Sequence, residues 1–234
     1  MSEIGTQNID TARISVIIPV LNEVKNIKQA VASTQPSTNV EVIVVDGGSN
    51  DGTAEIAESL GVNLIFAPRG RATQMNAGAL AASGNILLFL HADTRLPAEF
   101  DIMVRTALQQ PGVVAGAFAV RIGAQLWSLR LVEWGVNWRS RFLQMPYGDQ
   151  AIFLNKEIFY RIGKFPEIPI MEDFELIRRL RRTGQITIIN VPVLTSARRW
   201  LKKGVFKTTL TNQIIILAYL LGVSPKRIIS WFRR

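Results

Sequence analysis

The chain reads as an α/β protein with a mostly parallel central sheet flanked by helices. Three observations lead there. Apolar runs of strand length alternate with stretches of helical period from Ile14 to Leu90, the pattern of βαβ units. Two of those runs, 42–45 and 86–90, empty onto carboxylates, Asp46 and Asp93. In open α/β sheets ligands bind outside the carboxyl ends of the strands, so both acids stand where a ribose, base or metal contact is expected. Finally, 234 residues that are 48% apolar are enough for a sizeable core.

The elements follow in order. Strand 14–18 comes first, and a helical stretch over 23–33 has Asn22 available as its cap. Strand 40–45 ends at Asp46, where Gly47, Gly48 and Ser49 make a turn. Helix 53–60 is capped by Asp51 and ended by Gly61; strand 62–66, helix 72–82 with Gly84 after it, and strand 86–90 complete the alternation. After Pro97 the pattern changes to a helix over 99–109, a strand over 113–122 and an amphipathic stretch over 125–143. Trp127, Trp134 and Trp138 in that stretch read first as core packing, and alternatively as an aromatic surface for sugar or lipid. A short strand over 151–154 precedes Met171-Glu172-Asp173-Phe174-Glu175, which opens an arginine-rich helix. No internal repeat, low-complexity segment or linker interrupts the chain.

Composition removes several chemistries. With no cysteine there is no disulfide, thiolate metal site or thiol nucleophile, which suits a reducing cytoplasm. With His91 as the only histidine there is no histidine cluster for zinc. Residues 1–12 are polar, contain Glu3 and Asp10, and lack the basic start and apolar stretch of a signal peptide; they read as a flexible N-terminus. The longest apolar run, 214–223, is about half the length a membrane span needs.

Charge is uneven. Twenty-seven basic residues against 18 acids give +9. From Thr195 onward stand Arg198, Arg199, Lys202, Lys203, Lys207, Lys226, Arg227, Arg233 and Arg234 with no acid, so the tail equals the whole net charge. Basic residues beside Trp200, Phe206, Trp231, Phe232 and an aliphatic run read as a segment lying on anionic lipid. A core helix with a solvated basic face is the plainer reading; nucleic acid is disfavoured because the basic residues flank an aliphatic stripe.

Taken together, Ile17-Ile-Pro-Val-Leu-Asn-Glu23, Val44-Val-Asp-Gly-Gly-Ser-Asn-Asp-Gly-Thr53, Gly70-Arg-Ala-Thr-Gln-Met-Asn-Ala-Gly78, His91-Ala-Asp93 and Glu172-Asp173 resemble the family 2 glycosyltransferases of GT-A fold. Within them the chain is similar to a small bacterial subgroup with His-Ala-Asp-Thr and Met-Glu-Asp signatures, some members of which are named for carotenoid (diaponeurosporenoate) glycosylation. The resemblance covers roughly residues 13–200. It implies a nucleotide-binding half over 13–97 and an acceptor half over 98–200; beyond them residues 201–234 read, from their charge and apolar pattern, as a basic amphipathic helical tail.

The resemblance also implies roles. Pro19, Asn22, Glu23, Asp46, Gly47, Arg71, Gln74, Asn76, His91, Ala92 and Asp93 would bind the nucleotide sugar, with Asp93 as ligand of a divalent Mn²⁺ or Mg²⁺. One carboxylate plus diphosphate oxygens suffices for such a hard cation. The usual family pattern has an acid where His91 stands, so His91 can contact ribose, ligate the metal or only close the strand. Asp173 would be the base that takes the acceptor proton in an inverting transfer. Glu172, Asp149, Gln150, Arg199 and Trp200 would contact sugar or acceptor. The expected enzyme is a hexosyltransferase-type transferase working on a hydroxyl or carboxyl of a lipid-linked or apolar acceptor, cytoplasmic and peripheral at the inner face of the cell membrane, with no nucleic-acid partner.

Two rivals remain. A sugar nucleotidyltransferase needs a glycine-rich basic loop directly after the first strand, and Pro19-Val-Leu-Asn-Glu23 is not one. A non-catalytic, membrane-associated nucleotide-binding module would have no use for Asp173 as a base.

Overall fold

The computed structural model describes residues 12–232, so residues 1–11 of the polar N-terminus, together with Arg233 and Arg234, lie outside the described residues. One eight-stranded sheet runs through the protein in the order β3-β2-β1-β4-β7-β6-β8-β5. Its strands are β1 Ile14–Val20, β2 Val40–Asp46, β3 Asn63–Phe66, β4 Ile86–Phe89, β5 Thr94–Arg95, β6 Val113–Ile122, β7 Phe153–Asn155 and β8 Gln185–Thr195. The first four pair in parallel. The rest attach through β7, antiparallel to both β4 and β6, while β8 runs parallel to β6 and antiparallel to β5.

The parallel half positions the site. From β1 the chain moves outward to β2 and β3, then returns to place β4 on the other side of β1. A crevice therefore opens at the carboxyl ends of β1 and β4, where the strand order reverses. Alternation along β1 feeds two cores: Val16, Ile18 and Val20 face one cluster, Ile17 the other. Helices α1 Ile27–Ala32, α2 Thr53–Ser59 and α4 Phe100–Leu108 cover the first face; α3 Arg71–Ala81, α6 Lys156–Arg161 and α7 Glu172–Leu180 cover the second. Phe89, Phe159 and Phe165 pack with ring centroids 4.8–5.6 Å apart beneath the crevice. Helix α3 lies so close to the sheet that a Cβ at Gly78 would sit 2.4 Å from Ile17 Cγ2.

Several expectations are corrected. Asn22 caps no helix: its backbone turns left-handed (φ 57°), α1 starts only at Ile27, and the Asn22 side chain accepts from the Asn50 N–H at 3.0 Å, tying the two strand-end loops together. Asp51 does accept the Thr53 N–H, one residue before the N-cap Gly52. Gly84 does not end α3 with a left-handed turn. It is needed because a Cβ there would meet the Arg13 carbonyl at 2.6 Å.

The three tryptophans are not core. In α5 Trp127–Leu143 it is Leu129, Glu133 and Ser140 that turn inward, whereas Trp127 and Trp134 are 72% and 70% exposed. The inward polar groups are used as anchors: Glu133 Oε1 accepts the Ile122 N–H at 2.5 Å, and Asn137 exchanges hydrogen bonds with the Val120 backbone.

The tail forms α8 Arg198–Lys203, α9 Val205–Leu220 and α10 Pro225–Phe232. Ile215, Ala218 and Ile228 bury against Met171 and Phe174 at the start of α7, and Tyr219 Oη donates to Glu175 Oε1 at 2.5 Å. Among the described residues no helix is long and apolar enough to cross a membrane.

Candidate active site

Two cavities meet at the carboxyl ends of β1 and β4. The larger, of about 920 Å³, is lined by Pro19 near the end of β1 and Glu23 in the loop after it, by His91, Ala92 and Asp93 from the loop after β4, by the start of α3 and by Glu172. The second, of about 410 Å³, lies between α5, α9 and the start of α7, and receives Asp149, Asp173, Arg199 and Trp200. Arg71, His91, Asp93, Ile170 and Arg198 line both, forming the wall between them.

The consecutive acids at the start of α7 part company at this wall. Left-handed Met171 (φ 72°) swings the chain into the helix, so neighbouring side chains point apart. Glu172 faces the larger cleft and accepts from Arg71 Nη1 at 3.0 Å; its side chain is only 3% exposed. Burial raises its pKa, and Arg71 opposes the rise. Asp173 faces the second cavity, where the Gly148 N–H donates to Oδ2 at 2.8 Å and the Phe174 N–H to Oδ1 at 2.7 Å. These bonds set the plane of the carboxylate. Gly148 belongs to a 3₁₀ turn over Gly148–Gln150, and a Cβ there would lie 2.9 Å from His91 Nε2 and 3.3 Å from Asp173 Oδ2. A side chain at 148 would crowd both the histidine ring and the carboxylate.

A family model for glycosyl transferase family 2 matches residues 15–208. The chain belongs to that family. Among curated relatives, glycosyltransferase AglE of Haloferax volcanii is 40% identical over 91 residues, 34% of this chain and 30% of AglE. The 4,4'-diaponeurosporenoate glycosyltransferase of Staphylococcus haemolyticus is 39% identical over 98 residues, covering 38% and 26%. These matches span about a third or less of the relatives' own lengths. The mannosyltransferase PcManGT of Pyrobaculum calidifontis, solved with GDP-Man and Mn²⁺, superposes with a TM-score of 0.63 at 23% identity, over 79% of this chain and 56% of that one. Likeness at this level establishes the GT-A fold of this family 2 glycosyltransferase.

Burial raises the pKa of Asp93, Asp149 and Glu172 around the two cavities, and nearby arginines only partly offset it. Asp93 is raised in pKa, by burial first, with Arg198 lowering it and Glu23 raising it further. Its Oδ2 lies 3.4 Å from Arg198 Nη2, and the same Arg198 nitrogen contacts Glu23 Oε1. Burial likewise raises Asp149, against the pull of Arg139, and Asp149 Oδ1 is buried with no partner. His91 is held neutral, its pKa lowered to about 3 by burial and by Arg71. Among the described residues no three His or acidic groups cluster as a metal cage. Asp93, a hard oxygen donor that borders both cavities and meets Arg198 only at 3.4 Å, nonetheless suits a Mg²⁺ or Mn²⁺ whose other ligands come from diphosphate.

Three of the expected contacts are already occupied by the fold. The Gln74 amide donates to the carbonyls of Val20 and Val45, both at 2.8 Å, so this side chain staples the ends of β1 and β2 although it borders the cleft. Asn76 lines neither cavity and exchanges hydrogen bonds with the Phe165 backbone. Gln150 is fully buried, donating to the Phe118 carbonyl and accepting from Ser140 Oγ, outside both cavities. A polar side chain that serves the backbone is indistinguishable in sequence from one that faces the cleft, even within a motif such as 70–78, and only the backbone partners reveal the difference.

Asp46 is buried: Oδ1 accepts the N–H groups of Gly48 and Ser49 at 2.6 Å, while Oδ2 has no partner. Gly47 lies under the Gln74 amide, 3.0 Å from a Cβ placed there. Arg199 donates to Asn212 Oδ1, and Trp200 Nε1 is buried without a partner. Sequence reasoning counted Arg198 only as tail charge and missed Arg139, whose guanidinium lies 3.6 Å from the Tyr147 ring centroid in the second cavity. Neither stands in a motif, so no local signal marked them.

Proposed function

We propose that this chain is an inverting glycosyltransferase that moves a sugar from a nucleotide-diphosphate donor to a hydroxyl or carboxyl of a lipid-linked or apolar acceptor. One observation carries the reading: consecutive carboxylates are divided between two adjoining cavities, Glu172 with Arg71 on one side and Asp173 on the other. The larger cleft takes the donor; Asp46, buried and lining neither cavity, holds the turn at Gly48 and Ser49 and does not itself border it. The second takes the acceptor. As the acceptor oxygen attacks the sugar C1 from the Asp173 side, its proton passes to the Asp173 carboxylate; the bond from C1 to the diphosphate oxygen breaks, and the electron pair leaves with the diphosphate. Arg71 meets the charge that develops there. A divalent cation held by Asp93 would supply further positive charge to the same leaving group. His91, being neutral, adds no charge of its own beside the sugar. The basic, apolar tail keeps the protein at the inner face of the cell membrane.

The test is a thermal-shift screen of UDP, GDP, TDP and CDP with Mn²⁺, Mg²⁺ or chelator. A ligand that binds only the folded form stabilises by about 2.7 kcal/mol at a hundredfold excess over Kd. One nucleotide family is expected to raise Tm in a metal-dependent manner, and Asp93→Ala to lose the metal-dependent part. Absence of any shift in the unmodified chain would sink the donor assignment.

Arg71→Met should weaken a nucleoside diphosphate about tenfold, the low end for a hydrogen bond to a charged group because Arg71 must leave Glu172 to make it. Calorimetric titration of the corresponding nucleoside serves as control, since that ligand has no phosphate and its affinity should not change. Equal losses for both ligands would place Arg71 elsewhere than at the diphosphate.

A further inference from the structure

The two helices that enclose the acceptor cavity both turn apolar stripes outward. On α5 the stripe is Trp127, Leu131, Trp134, Trp138 and Phe142; on α9 and its C-cap it is Phe206, Leu210, Ile214, Leu217 and Leu221. At 100° per residue each set falls within about 80° of arc, so each is a continuous face. All ten side chains are exposed, with Phe206 at 80%, and Trp138 stacks on Phe142 with centroids 5.5 Å apart. Soluble monomers rarely expose contiguous apolar surface on this scale without an occupant.

Charge identifies the occupant. Exposed Arg141 follows the α5 stripe and exposed Lys202, Lys203 and Lys207 adjoin the start of the α9 stripe, with no acid anywhere from residue 195 onward. Tryptophans on one helix and a lysine-flanked aliphatic face on its neighbour suit the headgroup boundary of an anionic bilayer, whereas a second copy of this basic chain would bring like charges together. Leu129 of α5 packs with Ala197, Trp200 and Val205, which fastens α5 to the beginning of the tail. Between the helices, Val132 and Val136 of α5 and Ile215 and Ile216 of α9 line the cavity that holds Asp173.

We infer that α5 and α9 together form the membrane-docking platform, and that the acceptor cavity between them receives its substrate directly from the lipid surface. The platform thus extends beyond the basic tail to a helix of the transferase domain itself. The substrate-entry part rests on the assignment of Asp173 as the acceptor base; the platform does not.

The experiment uses the full chain with vesicles of phosphatidylcholine, alone or mixed with phosphatidylglycerol, and follows cosedimentation and quenching of tryptophan fluorescence by brominated lipid. Binding to the anionic vesicles with strong quenching is expected. Trp134→Ser with Trp138→Ser, and separately Phe206→Ser with Leu210→Ser, should each lower the bound fraction about tenfold with circular dichroism unchanged. Full binding by the α5 variant would assign docking to the tail alone and overturn the platform. A concentration-dependent dimer of the unmodified chain that ignores vesicles would overturn it in favour of an interface between copies. The nucleotide-dependent thermal shift should be the same in all variants, so loss of vesicle binding with that shift intact is a failure of the platform only, and vesicle binding without any nucleotide shift is a failure of the donor assignment only.

Discussion

Replacing Asp173 by Asn is expected to lower donor turnover, read as release of nucleoside diphosphate, by about 10²–10⁴-fold, the range in which a positioned general base contributes. The substitution is close to isosteric and keeps an oxygen to accept the Gly148 N–H, which is 2.8 Å from Oδ2. What it removes is the capacity to take a proton, together with the acceptor for the Phe174 N–H, since the amide nitrogen takes the place of Oδ1. Donor affinity should change little, because Asp173 lines the second cavity and not the larger cleft. A drop in kcat with the nucleotide-dependent thermal shift preserved is therefore the expected pair of results. Undiminished turnover would remove the base from the mechanism; absence of turnover in both proteins, with nucleotide binding intact, would favour a binding module.

The parallel half of this fold was legible because its signals are local. Strand β1 begins at the expected residue and α3 begins one residue before the expected 72, since β-branched runs and helical spacing operate over short windows. The second half was harder to read. Strand β8 passed unplaced: its run is broken by Pro192, which cannot donate to the ladder, and its pairing with β6 slips between Phe118 and Ala119 to accommodate two extra residues. Partners distant in sequence decide such a strand.

The site divides in the same way. Of the two strand-end carboxylates, Asp93 lines both cavities, as the loop after a strand at the crevice should, whereas Asp46 is buried and lines neither. By contrast, Gln74, Asn76 and Gln150 look in sequence like ligand contacts but satisfy backbone groups 29 to 89 residues away. The tryptophans of α5 were misread for an energetic reason. Burial is the usual fate of large aromatic side chains, and the reading did not test which helical face the domain would cover. Leu129, Glu133 and Ser140 define that face, opposite Trp134 and Trp138.

Tyr219→Phe should uncouple the tail from the helix that carries the base, at a cost of about 1.5–3 kcal/mol, the range for a hydrogen bond to a charged partner. Tyr219 Oη donates to Glu175 Oε1, and Glu175 stands two residues after Asp173 on α7, where its other oxygen pairs with Arg178 Nη2 at 2.9 Å. Burial, followed by the Glu175 hydrogen bond and charge, pushes the Tyr219 pKa up from 10.0 to about 12. Raised above its unfolded value, this acid binds more protons in the folded state than in the unfolded state between the two pH values. Its stabilising contribution is complete below about pH 10 and is lost as pH rises towards 12. The stability difference between the unmodified chain and Tyr219→Phe, from chemical denaturation, should thus be full at pH 8 and nearly gone by pH 12. Comparison of the two proteins cancels the lysines that titrate in the same window. No stability difference at any pH would show that packing of the ring against Phe174, 5.7 Å between centroids and kept by the Phe variant, and not the hydroxyl, holds α9 to α7.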